Sequence, residues 1–128
     1  MTNFKSIGVE SPAKVAAALT KLWSPRVIAE VEDAYIKVAK VKGELTWHAH
    51  AEEDELFYIL KGQLKLEMEA QTVTLNEGEM YVVPKGVRHN PIADEECHLM
   101  LIERKTTEHT GDVVINATVP IAGQVSRD

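Results

Sequence analysis

Residues 43–62 read GELTWHAHAEEDELFYILKG, and this stretch decides both the fold class and the candidate chemistry. Because successive side chains of a β-strand point to opposite faces, His48 and His50 lie on one face with their Cα atoms about 6.6 Å apart. If a second strand begins at Glu55 and returns antiparallel, His50 faces Glu55 and His48 faces Phe57. The stretch therefore predicts a hairpin with two imidazoles and a carboxylate on one side.

A fourth donor can come from His89, which follows a Pro-Lys-Gly turn at residues 84–86. Three neutral imidazoles and one carboxylate make a nitrogen–oxygen site with open positions, which suits Fe, Mn, Ni or Zn better than Ca or Mg. The acidic residues 52–54 compete with Glu55 for the carboxylate position, although only Glu55 opens the next strand. We expect one divalent transition metal, with its identity open, held by His48, His50, Glu55 and His89.

Runs with a period of two, separated by glycine turns, continue along most of the chain. Many short strands with tight turns and almost no helix indicate an antiparallel sandwich or barrel. The predicted strands are Val27–Glu32, Ala34–Val41, Leu45–His50, Glu55–Leu60, Gln63–Glu69, Thr72–Leu75, Met80–Val83, His89–Ile92 and His98–Glu103.

The two ends of the chain have a different pattern. Ser11 followed by Pro12 is a typical helix start, and the apolar residues after it fall on one face, so a helix is predicted over residues 11–23. The segment from 105 to 128 is polar except for residues 113–115, which could add an edge strand. We expect a single domain over residues 1–128, with its barrel over 27–104.

Composition narrows the function classes. The 128 residues include 20 acidic and 14 basic side chains, a net charge of −6, which opposes binding to a nucleic-acid backbone. Cys97 is the only cysteine, so neither an internal disulfide nor a thiolate metal cluster is expected. No stretch resembles a secretion signal or a membrane span, and we expect a cytoplasmic protein without a membrane partner.

The spacing of glycines, histidines and proline resembles the two motifs of small single-domain cupins. One residue fewer than usual separates Gly43 from His48, and Asn90 follows His89 directly instead of after a short gap. The matching positions are Gly43, His48, His50, Glu55 and Gly62 in the first motif, and Gly78, Pro84, Gly86 and His89 in the second. The resemblance implies an all-β fold, a double-stranded β-helix (jelly-roll) barrel with one short N-terminal helix. It also implies a metal held by His48, His50, Glu55 and His89.

Cupins carry out many reactions, so the fold leaves the function open. The leading hypothesis is a metal-dependent enzyme for a small organic molecule, a dioxygenase-like oxygenase or an isomerase, in which Glu55 can also take up a proton. The alternative is a non-enzymatic barrel that binds or senses a small ligand. Side chains that could line the substrate pocket are Phe57, Met68, Tyr81 and Arg88, with Arg88 a possible anchor for an anion.

The remaining candidates have structural interpretations. His98 alternates with apolar residues and is expected to be structural, His109 is expected to be exposed, and no base is evident beside Cys97. Residues 55–60 are apolar on both faces, so one sheet must be covered on its outer side by the N-terminal helix or a second subunit. We expect a homodimer on that ground.

Overall fold

The computed structural model describes residues 8–125 as a largely β structure with a short helix near each end. The elements are α1 (Pro12–Ala18), β1 (Arg26–Val31), β2 (Ala34–Glu44), β3 (Glu55–Lys61), β4 (Gln63–Met68), β5 (Thr72–Asn76), β6 (Met80–Val83), β7 (His89–Arg104) and α2 (Ile121–Val125). Within these residues, no helix is long and apolar enough to cross a membrane.

The sheet is organised around β7, which has 16 residues and pairs antiparallel with three different strands. The main path runs β1-β2-β7-β3-β6, while β4 pairs with β5 and with the first part of β7. By changing partners along its length, β7 joins both layers, and the largest apolar core fills the space between them. Its central members are Ile59, Leu64, Leu66 and Leu99.

The sequence interpretation of β7 as two separate strands is wrong. Asp94, Glu95 and Glu96 interrupt the apolar pattern and are exposed, yet the backbone stays within one strand. Val41 pairs with Cys97 and Gly43 with Ala93, so Lys42 alone stands against the three residues 94–96 of β7. The extra residues form a bulge whose acidic side chains reach solvent while the pairing resumes on both sides.

Helix α1 begins as predicted, since Ser11 caps it by accepting a hydrogen bond from the Lys14 amide. It ends at Ala18 and not near Trp23, because the following segment is held by β2. The Trp23 amide donates to the Lys40 carbonyl at 2.9 Å, and Trp23 has a positive φ of 57°. Backbone contacts to another strand thus override the local helical pattern.

The helix packs on the outer face of the sheet, where Ala16 contacts a cluster that includes Ile28 and Val38. This accounts for part of the two-sided apolar pattern noted in the sequence. The expected edge strand at residues 113–115 is absent; residues 105–120 are turns and irregular backbone, and α2 follows them. Hydrogen bonds such as Val113 N to Thr110 O close these turns locally, so the segment has no free strand edge to pair.

Candidate metal centre

The segment that carries His48 and His50 lies beside the start of β7. The His48 amide donates to the His89 carbonyl at 3.0 Å, and the His89 amide donates to the His48 carbonyl at 2.9 Å. The predicted hairpin between residues 45–50 and 55–60 is therefore wrong: β3 pairs with β6 and β7, and residues 45–50 form only an isolated bridge at His48. His89 is brought to His48 by the backbone pairing of these two segments.

All four predicted donors nevertheless come together inside the barrel. One ligand atom from each of His48, His50, Glu55 and His89 lies within 4.8 Å of the others, and all four residues are buried. Glu55 Oε1 is 3.3 Å from the Nε2 atoms of both His50 and His89. Four buried nitrogen and oxygen donors at this separation could hold one metal ion.

Two of the imidazoles are oriented by backbone carbonyls. His48 Nδ1 lies 2.8 Å from the Thr46 oxygen, and His89 Nδ1 lies 3.0 Å from the Val87 oxygen. A carbonyl only accepts, so in the neutral ring Nδ1 carries the proton and Nε2 keeps its lone pair. Metal-binding histidines are commonly oriented by such a bond on the second ring nitrogen.

The donor atoms themselves lack hydrogen-bond partners. His50 Nε2, Glu55 Oε1 and His89 Nε2 are all buried and unpaired within the described chain. Burying polar atoms without partners costs about 1–3 kcal/mol for each atom. A metal ion bound among them would satisfy all three atoms, and the residues present therefore fit such an ion.

Burial and neighbouring charges set the protonation of the cluster. Burial and the adjacent His89 lower the pKa of His48 to about 4, so that His48 is neutral at pH 7. Burial would lower the pKa of His50 as well, but the nearby Glu55 carboxylate raises it overall. Burial would raise the pKa of Glu55, yet the adjacent Glu103, His50 and His89 side chains bring it well below its usual range. Glu55 is thus an anion available to a cation.

A second buried polar group lies behind Glu55. Glu103 is opposite Glu55 in the β3–β7 ladder, and both side chains are buried. Burial and the charge of Glu55 raise the pKa of Glu103 well above its usual range. Lys37 Nζ lies 2.8 Å from Glu103 Oε1, and both side chains are fully buried.

The C-terminal segment covers the same end of the barrel. The amide of Ala49, between the two histidines, donates to Asp112 Oδ1 at 3.1 Å, and the Asp112 amide donates back to the Ala49 carbonyl at 3.2 Å. Gly111 has a φ of +59°, and a Cβ atom there would overlap the Ala49 carbonyl. Only glycine allows the segment to pass this close to the histidines.

His109 is buried, and the expectation that it is exposed is wrong. Its Nε2 accepts a hydrogen bond from the Val119 amide at 2.8 Å, which folds the polar segment back over the barrel. His109 lines a cavity of about 30 Å³ together with His48, Glu55 and Phe57. Burial and the charge of Lys37 lower its pKa to about 4, so it is neutral at pH 7.

Comparison with known proteins identifies the family. The family model for the cupin domain matches residues 35–103, more than half of the chain. The chain belongs to the cupin family. The matched region contains all four candidate ligands, and the barrel with one short N-terminal helix that the sequence predicts is confirmed.

Several relatives resemble this cupin closely. A cupin-2 domain protein of Shewanella frigidimarina is 47% identical, with a TM-score of 0.72, over 75% of this chain and 94% of that one. Protein NMB1881 of Neisseria meningitidis is 30% identical, with a TM-score of 0.70, over 76% of this chain and 99% of that one. An uncharacterized Bacillus subtilis protein, YdbB, is 32% identical over 82 residues, 63% of this chain and 73% of its own length.

The four side chains predicted to line a substrate pocket fall into two places in this cupin. Phe57 lies beside the donors, with its ring centroid 6.1 Å from that of His89. Met68, Tyr81 and Arg88 line a separate surface groove of about 490 Å³. Arg88 stacks over the Trp47 ring and lies 3.6 Å from Glu69, so its charge already has a partner.

The competing candidates have other contacts. The Asp54 carboxylate accepts the Lys85 amide, and Glu53 accepts the Thr106 hydroxyl, so both are outside the donor cluster. His98 Nε2 lies 2.8 Å from Glu96, away from the donors. Burial raises the pKa of Cys97 to about 12, which leaves it a thiol at neutral pH.

Sequence reasoning missed Lys37, Glu103 and His109. The first two carry a signal, because Lys37 shares strand parity with the buried Ala39 and Glu103 shares it with the buried Leu101. A charged residue on the inward face of a strand is a candidate for function. His109 has no such signal, since no periodic pattern surrounds it.

Proposed function

We propose that this cupin is a metal-dependent oxygenase that acts on a small organic molecule, with one divalent transition metal held by His48, His50, Glu55 and His89. The observation that carries the proposal is the set of three buried donor atoms without hydrogen-bond partners, in a cluster whose ligand atoms lie within 4.8 Å of one another. A nitrogen-rich set of three imidazoles and one carboxylate favours a transition metal over Ca²⁺ or Mg²⁺. Such an ion, when bound, supplies open coordination positions for substrate and dioxygen.

The cavity beside the donors favours an oxygenase over an isomerase. Its volume is about 30 Å³, which has room for about one or two water molecules or a diatomic gas. Its walls are apolar at Leu45, Phe57, Leu99 and Leu101, and their polar side chains are His48, Glu55 and His109. An isomerase that polarises a carbonyl needs hydrogen-bond donors around its substrate beyond the metal ligands, and within the described residues His109 is the one such group on this wall. A small apolar molecule such as dioxygen fits these walls.

Glu55 fits the role of ligand better than the role of proton acceptor. Its pKa lies well below the usual range because Glu103, His50 and His89 stabilise the anion. A carboxylate so stabilised binds a cation readily and takes a proton reluctantly. Proton uptake by Glu55 during turnover stays a prediction from the sequence.

Oxygen consumption tests the proposal. The full chain is loaded with Fe(II) without air and mixed with oxygenated buffer containing a catechol, a flavonol or a thiol. We expect at least one class to raise oxygen uptake above that of Fe(II) alone, in the wild type and in His98→Ala, but not in His50→Ala. His98→Ala is the matched control because it removes a buried histidine outside the donor cluster.

Other outcomes favour the alternatives. Iron binding with tight retention of an unchanged compound and no oxygen uptake would contradict an oxygenase and support a binding or sensor barrel. Conversion of a substrate by the Mn-, Ni- or Zn-loaded chain without oxygen would support an isomerase.

We also infer that a second copy of the chain covers the exposed end of the sheet. The outward side chains of β3 and the edge strand β6 form an apolar patch, in which Met80 is 59% and Val82 is 41% exposed. Leu56 and Tyr58 lie opposite them in the ladder and on the same face. Contiguous apolar patches of this kind often mark interfaces.

Light scattering after size exclusion tests the dimer. The expected mass is twice the 14.2 kDa of one chain, and Met80→Lys should shift it toward the monomer. Val114→Lys, at an exposed position on the C-terminal segment, is the control and should stay dimeric. A monomeric wild type at high micromolar concentration would contradict the inference.

A further inference from the structure

We propose that Lys37 and Glu103 are a positioning pair that fixes the Glu55 carboxylate for the metal, and that Gln124 of α2 joins the C-terminal segment to this pair. The inference rests on the proposed metal site. It assigns a role to three residues that are not metal-ligand candidates and that lie outside both histidine motifs.

Glu55, Glu103 and Lys37 follow one another in a row that leads away from the donor cluster. Glu55 Oε1 lies 3.3 Å from the Nε2 atoms of His50 and His89, and the buried Glu103 lies directly opposite Glu55 in the β3–β7 ladder. Glu103 Oε1 lies 2.8 Å from Lys37 Nζ. The buried Lys37–Glu103 pair therefore lies next to Glu55 on the neighbouring strand, where it can restrict the rotation of the Glu55 carboxylate.

Gln124 connects Lys37 to the C-terminal helix α2. Its side-chain oxygen accepts a hydrogen bond from Lys37 Nζ, and its side-chain nitrogen donates to the Val119 carbonyl at 2.8 Å. Gln124 is fully buried, and the neighbouring Val125 packs with Val27 and Tyr35. The segment after the family match thus contributes directly to the support of Glu55.

Energetics argue that the pair has more than a packing role. Burying a lysine and a glutamic acid side chain away from water costs free energy, and apolar residues of similar size often stabilise a fold as well or better. The inward neighbours of Lys37 on β2 are Tyr35 and Ala39, so apolar side chains suit this face. The fold alone gives no reason to bury these groups, whereas an anionic ligand that must keep one orientation does.

The decisive variant removes both partners together, Lys37→Met with Glu103→Leu, so that neither side chain is left buried without its partner. We expect the metal-free double variant to unfold at a denaturant concentration close to that of the wild type. Its affinity for Co²⁺ should fall about 10- to 100-fold, the usual effect of losing a group that orients a metal ligand. The d–d absorption bands of bound Co²⁺ should also shift, because Glu55 is free to rotate.

Two further variants separate positioning from packing. Glu103→Gln can still donate to Glu55 and accept from Lys37, so it should keep Co²⁺ affinity within about threefold of the wild type. The matched control, Lys40→Met with Glu96→Leu, removes a partly exposed pair between the same two strands with Nζ and Oε2 4.0 Å apart. This control should leave Co²⁺ affinity and spectrum unchanged.

The outcomes distinguish the two proposals. If the wild type binds Co²⁺ and the double variant binds it with the same affinity and spectrum, the positioning role is overturned while the metal site stands. If the wild type binds no Co²⁺, the metal site fails and the positioning role fails with it. Should the double variant not fold, Gln124→Leu carries the test: a weaker affinity and shifted spectrum support the inference, and wild-type behaviour overturns it.

Discussion

Two segments meet at the donor cluster, and they contribute different things. Residues 43–62 supply His48, His50 and Glu55, whereas residues 105–125 supply no donor. The C-terminal segment instead holds Ala49 through Asp112 and buries His109 beside the cluster. The first segment lies within the family match at 35–103 and the second lies beyond it.

This difference shows which part of a metal site a short motif can specify. A motif fixes the identity and spacing of donor atoms, because a few residues on paired backbone segments must converge. The residues that exclude water and hold those donors in place can belong to any segment of the chain that packs against the donors. Variants in residues 43–62 should therefore lose metal binding, whereas variants in the C-terminal segment should mainly lose stability.

The largest effect is expected on the donor side. His48→Ala removes one of four convergent donors. The metal content of the purified chain should therefore fall from about one ion per chain to near zero, as measured by inductively coupled plasma mass spectrometry. His98→Ala removes an equally buried histidine that pairs with Glu96 and should keep its ion. Full metal content in His48→Ala would refute its assignment as a ligand.

A smaller effect is expected where the C-terminal segment crosses the histidines. In Gly111→Ala, the new Cβ would overlap the Ala49 carbonyl and lie 3.0 Å from His48 Cδ2. The overlap and the positive φ together should lower the free energy of unfolding by about 3 kcal/mol, measured by urea denaturation.

Gly78→Ala is the control for backbone strain alone, since φ is +84° there and nothing lies within 4 Å of an added Cβ. It should cost about 1 kcal/mol. Equal losses in the two variants would show that the C-terminal segment does not pack on the histidines as described.

The smallest effect concerns pH and His109. Its pKa is about 4 in the folded chain against 6.5 for the free side chain, so the unfolded chain binds the proton more readily between these values. Stability is therefore lost as pH falls from 6.5 to 4 and fully present above that window. Relative to His109→Gln, the metal-free wild type should lose about 2–3 kcal/mol more over this range in urea denaturation. Parallel pH profiles for the two proteins would contradict the burial of His109.

The sequence could predict those features that depend on local pattern. Ser11 with Pro12 marks the start of α1, because capping and a preset φ act within one turn. The sequence also predicts a glycine turn at Gly62. In the structure Gly62 has a positive φ of 88°, and a Cβ there would lie 2.9 Å from the Glu96 carbonyl. The sequence also predicts that the donors converge, since strand parity and the resemblance to cupins point to the same side chains.

Features that depend on distant pairing could not be predicted. Residues 45–50 alternate like a strand, yet their partner is the start of β7, not β3, and local periodicity carries no information about the partner. The acidic run at residues 94–96 resembles a turn but lies in a bulge within β7. His109 is buried only because its ring accepts the Val119 amide, a contact within a segment that has no periodic pattern.

Anomalous diffraction from crystals of the full chain grown with Co²⁺ tests the central claim most directly. Data collected on both sides of the cobalt absorption edge should show one strong peak per chain, about 2.0–2.2 Å from a nitrogen of His48, His50 and His89 and from an oxygen of Glu55. A peak elsewhere, or no peak while these four side chains converge, would contradict a metal centre at this site.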